Sequence, residues 1–188
     1  MLVAVVGDSI SAGSPLWDPD PAVRARIAAP DERSQWQWWA AQRDPRLRFR
    51  TRAVYGKRTD EIAAFLDEVV DGADALVVQG GINDIAQGRE VGTAARNLAE
   101  MVERGRALGL PVVLADVLPW PGGDERAARD IVRLNERVHA IAGAIHLPFH
   151  DTLAALDSPW SDDGDHPSVE GHRLLGEAAA RTLLQLEL

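Results

Sequence analysis

Four short stretches carry residue types that can do chemistry: "GDSIS" at 7–11, Gly56 within "AVYGKRTDEI", "GGIND" at 80–84 and "DDGDHP" at 162–167. Ser9 follows an apolar run and admits three readings: a helix cap, a phosphate contact or a nucleophile. A serine hydroxyl becomes a good nucleophile only when a base takes its proton, and the best base is an imidazole whose other nitrogen is held by a carboxylate. Asp163 and His166 stand three residues apart, so a single turn can join them and leave Nε2 of His166 to face Ser9. Acyl transfer also needs donors for a developing oxyanion, and the side-chain amide of Asn83 and the backbone N–H groups of Gly56 and Ser9 are candidates. Each stretch also has a plainer reading. Ser9 can cap a helix, and Gly56 and "GGIND" can be turns favoured for backbone reasons. "DDGDHP" can be a solvated acidic loop or a cation site of Asp162, Asp163 and Asp165.

These stretches matter only if the fold brings them together. Apolar or β-branched runs recur at 2–6, 49–54, 75–79, 112–115 and 145–149, with helix-like segments between them. The helical stripes are Ile62, Phe65, Leu66 and Val69 after Thr59 or Asp60; Leu98, Met101, Val102 and Leu108; Ile131, Leu134, Val138 and Ile141; and Leu174, Leu175, Ala178, Ala179 and Leu183 after Ser168. This alternation predicts an α/β fold: one domain over 1–188, built as a three-layer α/β/α sandwich on a five-stranded parallel sheet in the order 2-1-3-4-5. Every candidate stretch follows a strand, and strand carboxyl ends converge on one edge of such a sheet. The irregular region is 14–44, with a helix expected near 35–42 whose Trp36, Trp38 and Trp39 either line an acyl groove or, the favoured reading, anchor it to the core; the sequence leaves open whether this region forms a lid.

Composition narrows the function. With 29 acidic against 20 basic residues, the net charge of -9 argues against a nucleic-acid partner and disfavours anionic membranes. The absence of cysteine rules out disulfides, thiolate metal sites and cysteine nucleophiles. Neither a leader pattern nor a membrane-length apolar run is evident, which gives the expectation of a cytoplasmic protein without a membrane span. The Gly-x-Ser-x-Gly elbow is absent because position 11 is Ser, and no P-loop lysine follows the first strand.

The ordered set "GDSI" with Ser9, "AVYGKRTDEI" with Gly56, "GIND" with Asn83 and "DGDHP" with Asp163 and His166 resembles the SGNH hydrolases, also called the GDSL esterase and lipase family. The match spans 7–167, and "PSVEGHRLLGEAAARTLL" resembles that family's carboxyl-terminal helix. The resemblance implies a flavodoxin-like sandwich that hydrolyses esters or thioesters through an acyl-enzyme, with no metal and no cofactor. It implies Ser9 as nucleophile, His166 as base, Asp163 as its orienter, an oxyanion hole of Ser9, Gly56 and Asn83, and Asp84 as support for the turn. Two departures stand out: Ile10 replaces the leucine of the signature, and Lys57 and Arg58 put positive charge where small residues are common.

The expected activity is hydrolysis of carboxylic esters with short acyl groups by an SGNH-type esterase acting on a small-molecule ester. A thioesterase or acyltransferase on the same site, and a non-catalytic α/β binding domain, are the alternatives. Trp17, Trp120 and Trp160 follow the first, fourth and fifth strands and are candidates to line the substrate pocket. His139, His146, His150 and His172 are read as structural or solvent-facing, and Asp116 is left undecided. Neither the oligomeric state, the natural alcohol nor the acyl length can be read from the sequence.

Overall fold

A computed structural model describes residues 1–186 of the chain. Its centre is a five-stranded parallel sheet in the order β2-β1-β3-β4-β5, formed by β1 (Leu2–Gly7), β2 (Arg48–Ala53), β3 (Ala75–Val78), β4 (Val112–Ala115) and β5 (Ala144–Leu147). The order and the parallel sense agree with the sequence expectation. The fifth strand is shorter than expected. Pro148 ends it, and Phe149 opens a helix instead of closing the strand.

Helices cover both faces, and the side chains beneath them alternate with the strand period. Ala4, Val6, Leu76, Val78, Val112 and Leu114 face one layer, made by α4 (Thr59–Ile62), α5 (Leu66–Val69), α7 (Val91–Ala107) and α8 (Glu125–His139). Val3, Val5, Val77, Val113 and Ala115 face the other, made by α3 (Trp36–Arg43), α9 (Phe149–Ala154) and α10 (Val169–Leu183). The expected stripe at 62–69 is broken by a 3-10 turn over Ala63–Phe65 between α4 and α5. The shorter helices are α1 (Ser9–Ala12), α2 (Pro21–Arg24) and α6 (Ile82–Ala86).

The central strands are buried, whereas β2 is an edge and carries Arg48, Arg50 and Arg52. Charge on an exposed edge blunts pairing with another sheet. Trp36 is fully buried, with Phe49 at 5.6 Å and Phe149 at 5.5 Å, both edge-on. That cluster fastens α3 to the core through Trp36, whereas Trp38 and Trp39 are only partly buried and pack edge-on against each other. No helix among the described residues is long and apolar enough to cross a membrane.

His172 on α10 is fully buried, and neither ring nitrogen has a hydrogen-bond partner among the described residues. Burial, with a smaller push from His166, lowers its pKa to about 3. In the unfolded chain the ring titrates near 6.5, so between pH 6.5 and about 3 the unfolded state binds the extra proton. Stability is therefore whole above pH 6.5 and falls as pH drops through that window, by on the order of 5 kcal/mol in total. His172→Phe should flatten this dependence, measured as the shift in urea midpoint between pH 7.5 and pH 4; an unchanged shift would assign the acid lability to other groups.

Candidate active site

Strand register sets the site. Gly7 pairs with Ala53 and Val6 with Val78, so the chain leaves β1, β2 and β3 at one level of the sheet. Asp8, not Ser9, caps α1: its Oδ1 accepts the Ile10 N–H at 3.0 Å. Ser9 is the first residue of that helix, and its hydroxyl is free of the capping role that the sequence left open. The turn is bolted down from beneath. Gln79 Oε1 accepts the Asp8 N–H at 3.2 Å and the Ser11 hydroxyl at 2.9 Å, while Trp36 Nε1 donates to Ser11 Oγ at 3.1 Å. Burial pushes the Asp8 carboxyl above its ordinary value.

The segment after β2 is tied to α6 and to Gln87 just beyond it. Asn83 Nδ2 donates to the Lys57 carbonyl at 3.1 Å, and Gln87 Nε2 donates to the Gly56 carbonyl at 2.9 Å. Asp84 accepts the Thr59 N–H and hydroxyl, each at 2.9 Å, the turn-supporting role expected of it. An amide has two N–H donors, so one of Asn83 remains after Lys57 is served. Gly56 sits at φ +72°, a conformation other residues resist, and this is what aims its peptide.

The third part is a loop between α9 and α10. His166 Nδ1 lies 2.6 Å from Asp163 Oδ2. The other carboxylate oxygen accepts from Ser161 Oγ at 2.7 Å, Asp165 N–H at 2.9 Å and His166 N–H at 3.0 Å. Burial raises the Asp163 pKa, but these hydrogen bonds outweigh it and hold the carboxyl well below the usual carboxylate range. An ionised carboxylate only accepts, so Nδ1 carries the proton that faces Asp163, and the neutral form of the ring then has its lone pair on Nε2.

Two cavities meet at Ser9, Asn83 and His166, which line both. The inner one, of about 250 Å³, is walled by Ile10, Ile82, Val117, Leu118 and Trp120. The outer one, of about 490 Å³, is walled by Trp17, Asp18, Val23, Ile27 and Tyr55. Region 14–44 thus supplies one wall of the outer cavity. Of the three tryptophans considered for a substrate pocket, Trp17 walls the outer cavity and Trp120 the inner one. Trp160 lines neither: its ring packs against the core while its backbone bridges to Pro167.

Lys57 and Arg58 line neither cavity, which corrects the expectation of positive charge beside an acyl site. Lys57 Nζ lies 2.6 Å from Glu61, and Arg58 lies 3.1 Å from Asp60 and 3.3 Å from Glu61. The acidic first turn of α4 neutralises them locally. A cation site at 162–165 has no support in the geometry: Asp163 is committed to the loop, and Asp165 Oδ1 accepts the Trp120 indole at 2.6 Å. Among the described residues no group of three acidic, histidine or cysteine side chains is placed to hold a metal ion.

Sequence reasoning missed Gln79, which fixes the serine turn, and Tyr55, which walls the outer cavity; their signal was only that each adjoins a strand end. It also left Asp116 open. Asp116 is buried and lies 2.8 Å from His139 Nε2, and it lines neither cavity.

No curated protein sequence matches the chain. Solved structures share its fold. TesA is 24% identical with a TM-score of 0.77, the match covering 97% of this chain and 98% of TesA. A member of the lipolytic protein G-D-S-L family from Veillonella parvula DSM 2008 is 18% identical with a TM-score of 0.81, covering 99% and 100% of the two chains. The psychrotrophic esterase EstA from Pseudoalteromonas sp. is 15% identical with a TM-score of 0.70, covering 98% and 97%. At such identities the likeness is one of fold, whereas the profile of the GDSL-like Lipase/Acylhydrolase family matches residues 5–174, from the first strand into the last helix. On that match, with the same sheet beneath it, this chain belongs to the GDSL-like lipase and acylhydrolase family, the SGNH hydrolases.

Proposed function

We propose that this protein hydrolyses carboxylic esters of short acyl groups through an acyl-enzyme on Ser9. The reading is carried by the Asp163–His166 pair, whose imidazole lines the same two cavities as Ser9 and Asn83. Nε2 of His166 takes the Ser9 proton as Oγ bonds to the ester carbon and the carbonyl π electrons move to oxygen. That oxygen is met by the N–H groups of Ser9 and Gly56 and by the remaining N–H of Asn83. Collapse breaks the bond to the alcohol, which leaves with the proton held on Nε2. Water then repeats the sequence on the acyl-enzyme and releases the acid.

The two cavities suit different halves of an ester. The inner cavity has mainly apolar walls beside its polar residues and, at about 250 Å³, falls below the ~300–1,000 Å³ of sites that hold drug-sized ligands. A short acyl chain fits it. The outer cavity sets Asp18 among Trp17 and Tyr55, a mixture suited to a small or sugar-like alcohol. The solved EstA is described as inhibited by monoethylphosphonate, which makes phosphonate-type reagents a natural probe of Ser9.

Initial rates on p-nitrophenyl acetate, butyrate, octanoate and palmitate should fall with chain length, and a fluorophosphonate should label the wild type. A rise toward octanoate would overturn the short-acyl assignment, and absence of labelling in folded protein would overturn the hydrolase reading. Asn83→Ala should lower turnover by about 10²–10³-fold with a smaller change in KM, because its donor acts on charge that exists only at the transition state. Circular dichroism checks that the variant is folded; full activity would remove Asn83 from the oxyanion hole.

A further inference from the structure

Trp120 stands between two cavities. One is the inner cavity that reaches Ser9; the other, of about 320 Å³, lies beyond it and is walled by Ile85, Gly88, Gly122, Gly123 and Arg126. Trp120 and Ala86 line both, so the indole is a partition between a mainly apolar space on the Ser9 side and a further space whose walls also carry Asp124 and Arg126.

The ring is held there by features that have no other evident use. Its Nε1 donates to Asp165 Oδ1 at 2.6 Å. A Cβ at position 122 would strike that same carboxylate oxygen and come within 3.1 Å of the indole nitrogen. A Cβ at 123 would come within 2.7 Å of Trp120 Cε3 and 2.9 Å of the Ala127 methyl. Neither glycine has a positive φ, so it is space rather than backbone conformation that calls for glycine at both. The loop "PWPGG" therefore makes a slot that accepts the folded-back indole, and Asp165 latches it shut. Asp165 is itself held by the Asp163 carboxylate through its N–H at 2.9 Å, which places the latch on the loop that carries His166.

We infer that Trp120 is the residue that sets acyl-chain length: with the indole latched to Asp165 the chain ends against the ring, and with the latch released it runs past Ala86 into the second cavity. This rests on the serine-hydrolase reading above and names the determinant of its substrate range. Asp165 is a positioning residue, acting through the indole and not on the ester.

The test is the ratio of kcat/KM for p-nitrophenyl octanoate to that for the butyrate, measured for wild type, Trp120→Ala, Trp120→Phe and Asp165→Asn. Burying one further methylene is worth about fourfold, so the ratio should rise by at least about tenfold in Trp120→Ala. Smaller rises are expected in Trp120→Phe, which keeps ring bulk but loses the N–H, and in Asp165→Asn, which weakens the acceptor. If removing the large ring prevents folding, those two carry the test. An unchanged ratio in the folded variants overturns the gate. Calorimetric binding of octanoate needs no turnover and separates the two readings. Tighter binding by Trp120→Ala than by wild type supports the gate even if no ester is cleaved, and equal binding overturns it.

Discussion

Ser9→Ala should remove the hydrolysis of p-nitrophenyl acetate almost completely, with a fall in kcat of about 10⁶-fold and no loss of fold. The size follows from the chemistry. Without Oγ there is no acyl-enzyme, and what remains is water attacking an ester polarised by the oxyanion donors, which still exceeds the uncatalysed rate by roughly 10³–10⁴. The folded state should tolerate the change because the cap of α1 is Asp8, which accepts the Ile10 N–H, while Gln79 and Trp36 hold the turn through Asp8 and Ser11. Alanine also suits the first position of a helix. Paired measurements of initial rate, fluorophosphonate labelling and thermal midpoint check this. Retention of even a tenth of the wild-type rate would show that another group is the nucleophile.

Asp163→Asn should cost about 10⁴-fold in kcat while leaving the loop in place. The two carboxylate oxygens have separate tasks. Oδ1 accepts from Ser161 Oγ, the Asp165 N–H and the His166 N–H, and an asparagine oxygen can keep those bonds. Oδ2 faces His166 Nδ1, and there an asparagine offers an N–H instead of a lone pair. The imidazole must then accept at Nδ1 and carry its proton on Nε2, the wrong tautomer to relieve Ser9 of a proton. The Asp163 carboxyl of the wild type is held below its ordinary range and stays ionised at neutral pH, whereas the asparagine amide does not titrate, so the deficit relative to wild type should persist from pH 5 to 9. Its ionised form also stabilises the fold above the unfolded value of 3.8, a contribution lost only as pH falls through the lower folded value. Near wild-type turnover in the folded variant at pH 7 would show that His166 does not depend on Asp163 for its tautomer.

Much of this site was legible locally. Asp163 and His166 are three residues apart, and a turn of that length joins them whatever the rest of the chain does. Gly56 and Asn83 could be picked out because residue type and position after a strand both pointed to a loop at one sheet edge. The fourth helix was marked by Ser168, whose hydroxyl accepts the Gly171 N–H as a cap should. Where the reading failed, the missing information was long-range. Lys57 and Arg58 looked like free charge until α4 placed Asp60 and Glu61 against them. Trp160 and Trp120 both follow strands, yet one packs into the core and the other walls a cavity, a difference set by the course of each loop after its strand.

The sequence by itself located the five strands and the four blocks, because apolar periodicity and turn chemistry act over a few residues, and the expected order 2-1-3-4-5 is the one the sheet adopts. Tertiary structure alone decided that Gln79 bolts the serine turn, that Asp116 pairs with His139, and that Ser9, Asn83 and His166 line the same two cavities. It also decided that Trp120 folds onto Gly122 and Gly123 to meet Asp165. Those contacts join residues far apart in the chain, and they depend on sheet register and on how closely helices and loops pack, quantities that no local pattern encodes.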